Sequence, residues 1–135
     1  MASRVIWEDR YGEVIDRPEA GYIEIRWYDT TRELDGETFN QWLAGFAGAV
    51  EETKRAGVLT DAVVFNMDMG RMDMVWRDTN IIPRYNAAGV KKFAFLMPEG
   101  MPAIGTPPQM EGPAEFPTGY FGRRVDAVAW LVSDR

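Results

Sequence analysis

The stretch Leu34-Asp35-Gly36-Glu37-Thr38-Phe39-Asn40-Gln41-Trp42-Leu43-Ala44-Gly45-Phe46, continued through Val50, Lys54-Arg55 and Gly57 to Ala62-Val63-Val64-Phe65, reads as a capped helix running into a buried strand. Asp35 is a good N-cap, Glu37 places negative charge in the first turn, and Leu34 can staple onto Phe39 across the cap. Phe39, Trp42, Leu43, Phe46 and Val50 recur at helical spacing and make one broad apolar stripe. Lys54 and Arg55 suit the last turn, with Gly57 expected as the left-handed residue that stops the helix. Ala62 to Phe65 is apolar on both faces, so Val58 to Asp68 is expected to hold the central strand, covered by helices on either side.

On the N-terminal side, Arg4 to Ile15 and Tyr22 to Asp29 are strand-like segments joined by a turn at Pro18 to Gly21, which predicts an edge hairpin. Ile23, Ile25 and Trp27 share one face of the second segment and Glu24, Arg26 and Tyr28 the other, the period of a half-buried strand. On the C-terminal side, Met72 to Ala88 reads as helix interrupted at Pro83 and ended by Gly89, followed by a strand over Lys92 to Met97. Six of the eight prolines lie between Pro98 and Pro117, predicting a long loop there. A short strand at Gly119 to Phe121 and a closing helix over Arg123 to Val132, with Val125, Val128, Ala129 and Val132 inward, complete the chain. The order implies one α/β domain over residues 1–135, a mixed four- to five-stranded sheet with packed helices. Its expected core includes Trp42, Phe46, Val63, Val64, Phe65, Phe93 and Phe95.

Composition narrows the function. The chain has 135 residues, 46% of them hydrophobic, enough for a real core. It contains no cysteine and no histidine, which closes thiolate and imidazole metal sites and the Ser-His-Asp and Cys-His routes of nucleophilic catalysis. A net charge of −6 with no basic cluster argues against nucleic-acid binding. No apolar run approaches the roughly 20 residues that span a bilayer, and acids at Glu8 and Asp9 do not suit a secretory leader, so cytoplasm is the expected compartment.

The element order, with Asp61 to Asp68, the helix containing Trp76, Gly89-Val90-Lys91-Lys92-Phe93-Ala94-Phe95-Leu96, Tyr120-Phe121 and Ala127-Val128-Ala129-Trp130-Leu131, resembles a SpoIIAA-like domain over roughly residues 20–132. That is a branch of the STAS superfamily, the anti-sigma-factor antagonists, with many small bacterial members of unassigned role. The resemblance implies a module that binds a protein partner or a small ligand. It does not carry over the phosphorylation switch of the regulated antagonists, because Asn66 to Trp76 contains neither Ser nor Thr. Nor does the family's helix fit the proline-rich stretch from Pro98 to Pro117.

The candidate site residues cluster after the central strand. Asp68, Asp73 and Asp78 offer oxygen ligands for a divalent metal or a general base, the basis of an alternative reading as a carboxylate enzyme; Asp73 and Asp78 are equally good helix N-caps. Met67, Met69, Met72 and Met74 with Trp76 form a soft patch suited to an adaptable binding surface or to core filling. Arg71 and Arg77 could clamp an anion, or pair with the neighbouring acids. Met101, Ile104, Met110 and Phe116 supply apolar anchors in the proline-rich loop, which is expected either as a lid beside an apolar groove or as structural cover for the sheet. No resident cofactor or metal is expected. The main expectation is a non-enzymatic module for a protein partner or small apolar molecule, with a site at Asp68, Met69, Arg71, Met72, Trp76 and the four loop anchors. Gln41, Ala44, Gly45 and Gly48 lie off the apolar stripe of the first helix, where interior glycines cost roughly 1 kcal/mol each. Three readings of that face stand open: a second copy packing helix on helix in a homodimer, tight packing within the domain, or a neutral surface.

Overall fold

The computed structural model describes residues 3–98 and 108–133. Among these, the strands β1 (Arg4–Asp9), β2 (Gly12–Arg17), β3 (Tyr22–Trp27), β4 (Gly57–Asp61), β5 (Lys92–Leu96), β6 (Gln109–Met110) and β7 (Pro117–Phe121) form one mixed sheet in the order β1-β2-β3-β4-β5-β7-β6. β3, β4, β5 and β7 run parallel, while β1-β2-β3 and β6-β7 are antiparallel. The helices are α1 (Gly36–Thr53), α2 (Met74–Asn80), α3 (Ile82–Ala88) and α4 (Arg124–Val132). The sheet is therefore α/β as expected, but with seven strands rather than four or five. The extra ones arise at Arg10-Tyr11, where the first segment turns and becomes two strands, and at Gln109-Met110, a two-residue edge inside the proline-rich stretch.

The helix signals are realised where they rest on hydrogen-bond chemistry. The Asp35 carboxylate accepts from the Thr38 backbone N–H at 2.7 Å, and Phe39, Trp42, Leu43, Phe46 and Val50 are all buried. Gly89 ends α3 with φ 89°, and Ile81, two residues before Pro83, separates α2 from α3. The stop of α1 differs from expectation: Lys54 takes the left-handed conformation, at φ 54°, and Gly57 is the first residue of β4. Gly57 answers to space instead, because a Cβ there would stand 3.0 Å from that of Tyr22.

The central strand is also shifted. It is Gly57–Asp61, and Ala62 to Phe65 is a turn, in which the Asp61 carboxylate accepts from the Val63 N–H at 3.2 Å and Phe65 N–H donates to the Ala62 carbonyl at 3.1 Å. The apolar run survives because its side chains part at the end of the sheet. Val63 packs on the α4 side, Phe65 on the other, and Val64 points out, 47% exposed. Trp42, Phe46 and Phe93 are core as expected, whereas Phe65 and Phe95 are only partly buried.

Pairing register assigns the two faces of the sheet, since residues directly opposite one another share a face. Val14, Ile25, Thr60, Phe95 and Tyr120 lie in one cross-strand row beneath α1, α2 and α3. Ile15, Glu24, Leu59, Ala94 and Gly119 lie in the adjacent row on the opposite face, the side covered by α4. β3 is thus no edge strand and is covered on both sides: Glu24 is fully buried, held by Arg17 at 2.8 Å and by Arg124. α4 buries Ala127 and Leu131, packs Val128 half-buried beside them as expected, and leaves Val125, Ala129 and Val132 exposed, so its stripe is turned from the expected one. The shift follows from Arg124, whose guanidinium must reach Glu24 and Asp61.

A bulge in β1 completes the helix-side layer. Val5 pairs with Ile15 but Trp7 with Val14, so Ile6 is the extra residue and Trp7 turns onto the helix face. There it stacks on Trp42 at 4.1 Å, and a Cβ on Gly45 would come within 2.9 Å of its ring. At Gly45 the close approach is thus made within the chain, by Trp7, whereas a Cβ at Gly48 would meet only the Arg84 guanidinium, at 3.9 Å.

Candidate functional site

The helix-side layer does not close completely. At the carboxyl ends of the parallel strands a cavity of about 310 Å³ opens between the sheet, α1, α3 and the segment from Phe65 to Arg77. Its floor is Ile25, Trp27, Thr60, Phe93 and Phe95, each pointing to the helix side for the register reason given above. Phe39, Leu43 and Phe46 of α1 and Tyr85 of α3 form the wall. Met69, Met72 and Met74 border it on the side where the chain leaves β4. The volume is at the lower end of the range for small-molecule sites and about twice the ~150 Å³ apolar cavity that accepts benzene.

The polar groups gather around one part of this lining. Arg77 is the one cation and Glu111 the one carboxylate among the described lining residues, with the phenols of Tyr85 and Tyr120 beside them. The Tyr120 hydroxyl donates to Glu111 at 2.6 Å; burial and that hydrogen bond push its pKa up to about 12. Burial likewise pushes the Tyr85 phenol well above its ordinary range, against the nearby positive charges of Arg77 and Arg84, so it stays a neutral donor at physiological pH. Tyr85 is buried, yet its hydroxyl makes no hydrogen bond to a described residue. Arg77 has only a 24% exposed side chain, donates no hydrogen bond to a described residue, and has its nearest carboxylate, Asp78, at 3.8 Å.

Of the residues expected at the site, Met69 and Met72 line the cavity. Asp68 instead caps a short 3-10 turn at Met69–Arg71, accepting from the Gly70 N–H at 2.9 Å. Asp73 is the N-cap of α2, accepting from the Trp76 N–H at 2.9 Å, but Asp78 lies inside that helix and is no cap. The three carboxylates are not drawn together; among the described residues no three acids form a group able to hold a metal ion. Arg71 donates to the Leu34 carbonyl at 3.2 Å, outside the cavity. Trp76 borders a separate shallow cleft with Gly36, Asn40 and Ala44. Phe116 is core rather than contact surface: it stacks on Phe93 at 6.0 Å, its segment pinned by Asn86, which bonds the Pro113 carbonyl and the Glu115 N–H. Met110 is 65% exposed and does not line the cavity, while Met101 and Ile104 lie outside the described residues.

Sequence reasoning missed Trp27, Phe39, Phe65, Tyr85, Glu111 and Tyr120; Arg77 was weighed with Arg71 as an anion clamp, but only Arg71 was placed in the expected site. The aromatics were invisible as a site because the period that places them on the helix face is the same period that builds a core. Among the described residues no helix is long and apolar enough to cross a membrane. A scan against protein-family models, a search of curated proteins and a search of solved structures each found no match to this chain.

Proposed function

We propose that this chain is a binding module of the SpoIIAA-like kind that takes up a small, mainly apolar molecule between its sheet and α1. The observation that carries this reading is the cavity itself: about 310 Å³ lined by Trp27, Phe39, Phe46, Phe65, Phe93 and Phe95 at the carboxyl ends of parallel strands. Interiors are close-packed, so an empty volume of this size leaves aromatic faces without partners and a ligand restores the lost dispersion contacts. Methionines along one border let the walls adjust to the occupant's shape. Among the described lining residues no nucleophile is hydrogen-bonded to a base, which favours binding over turnover.

Decanol and naphthalene serve as probes. Each should raise the melting temperature with concentration, as a ligand of the native state does, and change the emission of Trp27. Ala62→Leu places a branched side chain in the same space and should weaken both effects while the domain still folds. Probe binding that Ala62→Leu leaves untouched would place the ligand elsewhere and sink the proposal.

A further inference from the structure

The chain holds its carboxylates with arginines in one recurring geometry. Arg55 grips Asp16 through two hydrogen bonds of 2.8 and 2.9 Å, and Arg84 grips Glu51 at 2.9 and 2.6 Å. Arg124 reaches both oxygens of Glu24. Arg77 is held more loosely: three-quarters buried and lining an apolar cavity, it has its nearest carboxylate among the described residues, Asp78, at 3.8 Å and makes no hydrogen bond to it. A cation drawn out of water needs a paired anion or loses free energy. Tyr85 lines the same cavity, and its hydroxyl donates to no described residue.

We infer that the ligand is a monocarboxylate with an apolar body, its carboxylate taken by the guanidinium of Arg77 and the hydroxyl of Tyr85, its body lying over Trp27, Phe93 and Phe95. This rests on the cavity reading above and adds the chemical class of the occupant. A single negative charge fits better than a phosphate ester. Among the described lining residues the one carboxylate, Glu111, is already held by Tyr120 and Arg77 is the one cation, and the chain carries a net charge of −6, so a dianion would meet repulsion. The body is limited to about two rings or a medium-length chain by a cavity about twice that which takes benzene.

The test compares decanoate, decanol and decyl phosphate by calorimetric titration of the full chain at neutral pH, each below its micelle-forming concentration. Decanoate should bind at least about tenfold tighter than decanol, the worth of a charge-assisted hydrogen bond. Arg77→Met should erase that preference. Tyr85→Phe, which removes only the hydroxyl and keeps the ring, should weaken decanoate several-fold more than decanol, and carries the test should Arg77→Met fail to fold. Equal binding of decanoate and decanol would overturn the carboxylate assignment and leave the cavity reading standing. The same assignment falls if decyl phosphate binds tightest, or if the preference for decanoate survives in both variants. Failure of all three to bind would overturn the cavity reading and this inference with it.

Discussion

The two faces of the sheet are closed by opposite means. On the helix side, α1, α2 and α3 lay down a continuous aromatic layer, in which Trp27 meets Phe39, Trp42 and Phe65 at 5.1 to 5.6 Å, and yet the layer stops short of the strand ends and leaves a cavity. On the other side a single nine-residue helix, α4, covers the strands around a fully buried carboxylate. Glu24 there receives Arg17 and Arg124, with Arg26 3.5 Å away and Asp61 bridging Arg26 and Arg124 at 3.6 and 3.2 Å. Apolar contacts are non-directional and leave room for a gap that a ligand can fill. Directional ion pairs instead fix one rotation of α4, which is why its buried stripe is set by Arg124 and not by its valines.

The largest effect is expected on the charged face. Glu24→Ala takes the shared acceptor from three arginines in a buried setting and should cost about 3 kcal/mol, measured by urea denaturation. The same residue sets an acid dependence. Burial pushes the Glu24 carboxyl up, but hydrogen bonds from Arg124 and Arg17 outweigh it and hold it below its ordinary value of 4.5. A folded-state pKa below the unfolded one contributes stability above the unfolded value and loses it as pH falls through the folded one. Wild-type stability should therefore decline as pH falls below about 5, and the decline should be shallower in Glu24→Ala. Parallel curves for the two proteins would show that Glu24 is not the group that titrates.

On the apolar face the expected sign reverses. Ala62→Leu fills part of the cavity and should stabilise the free protein by about 1 kcal/mol, seen as a raised melting temperature without ligand. A destabilised Ala62→Leu would mean that the lining is already fully packed, and the contrast between the faces would narrow to one of charge.

What could be read from the amino-acid order was whatever rests on local chemistry. The Asp35 cap, the α1 stripe, the Gly89 stop and the break near Pro83 depend on residues within a few positions of one another. What escaped depends on distant partners. The end of β4 is set by the Asp61 turn, the phase of α4 by a carboxylate 100 residues away, and the site by Arg77, Tyr85 and Tyr120 meeting across three elements. Met69 and Met72 were legible because methionines crowd after the strand. Phe116 was legible as an anchor, but its burial against Phe93 follows only from the pairing of β5 with β7.

Gly45 and Gly48 of α1 offer the smallest and most discriminating contrast, because they sit one turn apart and differ in what stands over them. A Cβ at Gly48 would meet only the Arg84 guanidinium, at 3.9 Å, whereas one at Gly45 would stand 2.9 Å from the Trp7 ring. Gly48→Ala therefore collects the helix-propensity gain undiminished and should stabilise by about 0.5–1 kcal/mol. Gly45→Ala collects the same gain but must displace an indole that is stacked on Trp42 at 4.1 Å, and aromatic pairs of this kind are worth about 0.5–1.5 kcal/mol. The two contributions nearly cancel, so its net change should be close to zero while the emission of Trp7 moves toward that of a solvated indole. If Gly45→Ala is as stabilising as Gly48→Ala and Trp7 emission does not change, then β1 does not hold Trp7 against α1 in solution. The α1 face would then be free for a second copy, and sedimentation of the variant against wild type would read that directly.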